Sequence, residues 1–497
     1  MDLILPILVA AVALISVFMT PKASSGATFF QGLSPSGRVP GLLTLTLSQV
    51  TTWIFARSLM NAAILGLSPS GRVPGLLTLT LSQVTTWIFA RSLMNAAILG
   101  FYYGLWGTLA YAFYYLSFLT GGLIIDDLRF RKGYSSIQAF LRDRFGEWGT
   151  RCYNLVVGVR LTSEVFANLL VIGILFGAAG SGSYTMAVVG LAAVTLLYSM
   201  LGGLHASLRT DLFQMLIFVF VLAFLMILTV TGGHITFENI LFKPFQIEQP
   251  GPVLMLVALL QIWSYPMHDP VMMDRGFLAD RQTTRRSFLH AAWVSMICIL
   301  LFGSLGILAG AQANAGEAMN AVLMRILGDL PMLLFNAALV ISAMSTLDST
   351  LSSSAKLMVV DMRFLRPTLM NGRMVMALFM ILGLLLVFTG NKDLFSAVAV
   401  SGTASMYLAP VIFFSLWGDR VRIPLWSYLG SFILAMFGAA LYFTESTGYT
   451  LWLGEWHKYT KLLFISLTVM TGGCLMFWIG NRQASSLRTV TANAAEY

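Results

Sequence analysis

The sequence predicts an all-α polytopic membrane protein of about thirteen transmembrane helices, and three observations predict it. Of the 497 residues, 57% are hydrophobic and only 10% charged, whereas a water-soluble globular chain carries about 25% charged residues. Apolar runs long enough to cross a bilayer, about twenty residues each, recur from end to end with no domain-sized polar block between them. Lysine and arginine gather in alternate connecting loops, the asymmetry that cytoplasmic loops carry. The whole chain, 1–497, therefore reads as a single transmembrane domain.

The first run, residues 2–20, lacks the basic start of a secretory signal and meets Lys22 at once, so it reads as a retained helix whose N-terminus lies outside. The next windows fall at 76–100, 101–125, 152–177, 184–202 and 209–231. Later windows fall at 252–269, 287–312, 331–355, 374–390, 394–417, 422–443 and 459–480. Residues 422–480 hold the last two, peripheral helices, and 481–497 form a cytoplasmic tail.

Loop charges set the orientation. Arg129, Arg131, Lys132, Arg142 and Arg144 share one loop region, Arg209 marks the next basic one, and Arg275, Arg281, Arg285 and Arg286 share a third. Lys356, Arg363, Arg366 and Arg373 follow, then Arg420 and Arg422, while the intervening loops hold little more than Lys243, Arg325, Lys392 and Lys458. The basic loops face the cytoplasm and place the chain in the plasma (inner) membrane. The net charge of +9 is scattered over short loops and forms no basic face, which argues against nucleic acid as a partner and for the lipid bilayer.

Residues 32–65 recur without a difference as 66–99. A solenoid needs three or more divergent copies, so this is a tandem duplication. A second helix from it would invert the topology and break the loop-charge pattern. The later copy runs directly into GFYYGLWGTLAYAF, so the functional helix is assigned to 76–100 and 32–65 is left outside the native core.

Ionisable groups inside a membrane are costly and are functional hypotheses by default; here they are Arg91, Arg160, Glu164, Asp211 and Asp348. The densest constellation is SAMSTLDSTLSSSAK, residues 342–356. Ser345, Thr346, Asp348 and Ser349 offer oxygen ligands of the kind hard cations take. Single Ser and Thr residues in membrane helices also bond back to their own carbonyls, but that does not account for Asp348. Asp211 follows a Gly-Gly step and has Arg209 as a neighbour able to neutralise it. Cys152, Cys298 and Cys474 lie in or beside apolar runs and read as packing residues. His205, His268 and His290 lie near cytoplasmic loop ends and read as solvated.

The run YSMLGGLHASLRTDLFQ, with STLDSTLSSSA downstream, resembles the sodium:solute symporter family, which includes the sodium/proline, sodium/glucose and sialic acid symporters. The resemblance implies a LeuT-like core of two inverted five-helix repeats, here 76–231 and 252–417, whose broken helices expose carbonyls and helix ends at the midplane. Pro266 and Pro270 in QIWSYPMHDP supply the expected breaker. It implies Na+ as the coupling ion, with no organic cofactor, bound by backbone carbonyls of Thr85, Ile88 and Ser342 and hydroxyls of Ser345 and Thr346.

A second Na+ or H+ site is implied at Asp211, Ser345, Asp348 and Ser349. Asp348 stands where the family has a hydroxyl residue, and two carboxylates together either bind a cation or share a proton. Trp87 replaces the aspartate of proline symporters. Residues expected around a central cavity are Arg91, Ser92, Glu164, Asn168, Gln261, Trp263 and Tyr265.

Arg91 could hold a solute carboxylate and Glu164 an ammonium group; equally, Arg91 or Arg160 could pair with Glu164 as a structural ion pair. The solute is a small organic molecule, amino-acid-like or a carboxylate. No nucleotide loop, zinc spacing or nucleophile with a partnered histidine suggests an enzyme. The expected activity is secondary transport coupled to inward sodium flux. Proton coupling on the same fold is the alternative; a sensory membrane module without transport ranks below it, because about seventeen residues follow the last span.

Overall fold

The structure is a computed structural model that describes residues 4–19, 76, 90–232, 240–269, 272–273, 276–277, 279–362, 364–389, 394–418 and 423–495. Among them every regular element is helical. The helices are α1 (Ile4–Met19), α2 (Ala90–Phe113), α3 (Ser117–Ile125), α4 (Ile137–Phe176), α5 (Gly182–Thr231), α6 (Pro250–Gln261) and α7 (Tyr265–His268). They continue as α8 (Arg281–Ala311), α9 (Met319–Leu327), α10 (Asp329–Lys356), α11 (Leu369–Thr389), α12 (Leu394–Ser405), α13 (Leu408–Pro410), α14 (Leu425–Thr447) and α15 (Lys458–Ala495). Eight helical stretches among the described residues are long and apolar enough to span a membrane, and Leu394–Ser405 with Leu408–Leu416 makes a further span bent by 44°. Phe220–Thr231 and Pro250–Gln261 are shorter apolar helices.

Sequence and structure differ at three junctions. The turn between the windows 76–100 and 101–125 falls at Gly104, whose φ of 64° is one that L side chains rarely adopt. Gly146, also at φ 64°, separates a short stretch starting at Ile137 from the span of α4 that follows. The Gly-Gly step at 202–203 does not turn the backbone out of helix: α5 is helical from Gly182 to Thr231. The last helix likewise runs on to Ala495, through most of the expected tail. The first copy of the duplication, 32–65, lies outside the described residues.

Local chemistry starts the helices. Ser136 accepts from the Ala139 N–H at 3.0 Å, and Asp280 from the Thr283 N–H at 3.0 Å, each satisfying a donor that has no intrahelical partner. Pro250 begins α6, where its missing N–H costs nothing.

The apolar pattern then sorts inner from outer helices. On α4, residues 163–173 are all buried, so this helix is enclosed by others. On α11, Met374, Leu378, Ile381, Leu385 and Phe388 form an exposed stripe at helical spacing, while Val375, Met376, Phe379 and Val387 face inward. An apolar stripe of that length is stable against lipid and not against water.

Helices α2 and α8 make the closest crossing. A Cβ on Gly306 would meet the Ala97 backbone, one on Gly310 the Phe101 carbonyl, and one on Gly100 the Gly303 oxygen at 2.7 Å. Small residues here let two backbones touch, the usual source of helix affinity where lipid removes the hydrophobic drive.

Candidate functional site

The site is built around the gap between α6 and α7. Pro266 has no N–H to offer the carbonyl four residues back, that of Ile262, and its ring opposes helical geometry there. The chain turns at 262–264, as expected from the breaker. The Thr120 hydroxyl donates to the freed Ile262 carbonyl at 2.6 Å. Pro270, the other expected breaker, lies outside the described residues.

Four charged side chains meet beside this gap. The Glu164 carboxylate is held by Arg91 Nη2 at 3.1 Å and by Arg160 Nη1. Arg160 Nη2 continues to Asp269 Oδ2 at 3.1 Å, and Asp269 Oδ1 also accepts from the Met272 N–H at 3.1 Å. All four residues are at most 6% exposed. Two arginines and two carboxylates balance in charge, and a buried charge left without its partner would be costly. The network joins α2 and α4 to the residue that follows α7. Asn168 donates to the Glu164 carbonyl at 2.8 Å from one turn above.

Both ion pairs that the sequence suggested for Glu164 therefore form together. Asp269 was missed, although it lies in the quoted segment QIWSYPMHDP and a carboxylate at a span end is itself a signal. His268 was misplaced. It is fully buried, its Nδ1 donating to the Tyr265 carbonyl at 2.7 Å, because the break folds α7 inward.

A small cavity of about 20 Å³ adjoins the network, room for roughly one water. Arg91, Ser92 and Arg160 line one side, and Tyr111, Tyr114 and Tyr265 the other. Tyr111 donates to Ser92 Oγ at 3.3 Å, and the Tyr114 and Tyr265 rings meet edge to face with centroids 6.1 Å apart. Arg91 Nε and Nη1 and Arg160 Nε are buried without a hydrogen-bond partner. Tyr265 was expected at the cavity; Tyr111 and Tyr114 were not singled out in the sequence, where an aromatic run inside a span looks like ordinary core.

The other expected cavity residues divide. Gln261 is a fastener: it accepts from Tyr114 Oη at 3.0 Å and donates to Thr403 Oγ1 at 3.3 Å, tying the break to α12. Trp263 packs on Phe413 and Trp417 at 5.7 and 6.2 Å and does not line the cavity.

For the expected cation ligands, the Ser342 carbonyl and Thr346 Oγ1 lie 3.0 Å apart on the buried face of α10. The hydroxyl donates to the carbonyl and keeps its lone pairs. Thr350 and Ser354 continue the same pattern of hydroxyl-to-carbonyl bonds at 2.8 Å. Asp348 is fully buried. Thr85, Ile88 and Trp87 lie outside the described residues, as do the side chains of Asp211, Ser345 and Ser349.

Comparison with known proteins places this architecture. A Na+-coupled sialic acid symporter in a substrate-bound, outward-open state is similar at TM-score 0.57 and 15% identity, over 96% of this chain and 96% of that chain. Mhp1 in an inward-facing conformation is similar at TM-score 0.50 and 12% identity, over 83% of this chain and 94% of that chain. These likenesses establish a shared LeuT-like fold. No curated protein matches the chain. The profile of the sodium:solute symporter family matches residues 70–424, well over half of the sequence, and the chain therefore belongs to the sodium:solute symporter family.

Proposed function

We propose that one sodium ion is held by the carbonyls of Thr85, Ile88 and Ser342 with the hydroxyls of Ser345 and Thr346, and that its inward flux drives uptake of a small polar organic solute. By family the protein is a sodium-coupled solute symporter working by alternating access. The observation that carries the ligand assignment is the pairing of Ser342 O and Thr346 Oγ1 on a buried helix face. Two hard oxygens already at neighbouring positions suit Na+.

Of the remaining ligands Ser345 lies on α10 as well, and Thr85 and Ile88 come from the segment just before α2. An ion bound there gains contacts only when that segment and α10 are close. It therefore favours the arrangement that brings them together, to the extent of its differential affinity. In this reading 76–231 and 252–417 are the two inverted repeats. Asp211, Ser345, Asp348 and Ser349 form a second Na+ or H+ site, and the solute binds beside Arg91 once the cavity there, which in this arrangement takes about one water, has widened. The basic loops put the N-terminus outside and the C-terminus in the cytoplasm of the plasma membrane.

Purified protein in proteoliposomes tests this. An imposed inward Na+ gradient should drive solute accumulation, and a K+ gradient should not. Uptake indifferent to Na+ but driven by a pH gradient would replace the ion assignment with proton coupling.

A further inference from the structure

We propose that the solute is a small monocarboxylate anion without an ammonium group, held by the donors of Arg91 that the charge network leaves unused. The inference rests on the reading of the tyrosine-lined cavity as the solute site and narrows what that site accepts.

Glu164 is the only carboxylate on the helices facing Arg91 among the described residues of this network besides Asp269, and each is taken up: Glu164 by two guanidinium groups, Asp269 by Arg160 and the Met272 N–H. Neither carboxylate lines the cavity. An ammonium group entering it would meet two arginines and no anion. What the lining residues offer is donors: Arg91 Nε and Nη1 and Arg160 Nε, all buried and unpartnered, with the Ser92 hydroxyl beside them, while Tyr111 and Tyr114 already give their protons to Ser92 and Gln261.

Buried N–H groups of an arginine are expensive to leave unbonded and bind carboxylates strongly when one arrives. Asn95, one turn along α2 from Arg91, has a buried amide donor that is also unpartnered. The aromatic rings give the apolar remainder of such an acid a surface to lie on.

Charge balance adds a second expectation. The network is neutral by itself, so an anion bound beside it buries one uncompensated negative charge. A sodium ion on the same protein offsets that charge, so each should raise the affinity for the other by the same factor.

The test uses the full-length purified protein and its thermal unfolding midpoint, read in NaCl and in choline chloride. The probes are acetate, propionate, lactate and pyruvate, set against alanine and proline as zwitterions and propionamide, glycerol and glucose as neutral solutes. Stabilisation by at least one monocarboxylate, greater in Na+, with none from the zwitterions or neutral solutes, is the expected result.

Stabilisation by zwitterions or neutral solutes in place of the acids overturns the proposal. So does a protein that Na+ stabilises and no acid in the panel stabilises further. A carboxylate response that is equal in choline keeps this proposal and removes the sodium coupling instead. Arg91→Lys keeps the charge but loses the planar donor array, and should weaken the carboxylate response about tenfold or more. The wild-type panel decides the matter even where that variant fails to fold.

Discussion

Thr120 holds the carbonyl of Ile262 at 2.6 Å, the acceptor that Pro266 leaves without its helical donor. One hydroxyl on a neighbouring helix thus completes the backbone at the point where α6 stops and α7 begins. Inside a membrane an unbonded carbonyl finds no water to replace the lost partner, so a broken helix needs such a group.

Thr120→Val keeps the shape and removes the donor. It should cost about 1–3 kcal/mol of stability, read as a lower unfolding midpoint. Pro266→Ala restores an N–H for the Ile262 carbonyl, so the Val substitution should cost less in that background. Equal costs in both backgrounds would mean that the two residues do not act on the same carbonyl.

Arg160 ties Glu164 to Asp269, and removing one member strands a buried charge. Asp269→Ala should cost about 3–5 kcal/mol and reduce the yield of folded protein in detergent. Arg160→Gln combined with Asp269→Asn removes one charge of each sign, and its cost should fall below the sum of the single changes. Strict additivity in a double-mutant cycle would argue against coupling.

Thr346→Ala should raise the Na+ concentration for half-maximal uptake about tenfold, the equivalent of one ligand worth about 1.5 kcal/mol. Thr346→Ser, which keeps the hydroxyl, should restore most of the affinity. A Thr346→Ala protein with unchanged Na+ dependence places the ion elsewhere.

Gly306→Ala puts a methyl group against the Ala97 backbone, where no side chain can swing aside. A loss of about 1–3 kcal/mol is expected. Gly190→Ala, where nothing lies within 4 Å of the added carbon, should be neutral or slightly stabilising. Parallel thermal melts of the two variants make the comparison.

The ion pair of Glu445 and Lys461, 2.8 Å apart and both at most 5% exposed, joins α14 to α15. Lys461→Met should lower thermal stability while the surviving protein keeps its Na+ dependence, because none of the proposed sodium ligands lies on α14 or α15. A shifted Na+ dependence would show that this hairpin takes part in the cycle.

The all-helical membrane architecture was legible because bilayer thickness acts on composition, which the sequence displays directly. Pro266 announced the break for a similarly local reason. The turn at Gly104 was missed by a few residues, since a glycine between two apolar runs looks the same in a turn and in a helix. The depth of His268 was misread because loop proximity in sequence does not show which way a broken helix folds. Asp269, Tyr111 and Tyr114 became visible only through their partners, Arg160, Ser92 and Gln261, none of them a near neighbour in sequence. Gln261 and Trp263 are two residues apart, yet the break sends one towards Tyr114 and the other towards Trp417.

A cavity with space for about a single water also has a meaning for ions. A hydrated sodium ion is larger than one water and does not fit this cavity as it stands. An ion that entered it would first have to give up its water shell and take oxygen ligands in exchange.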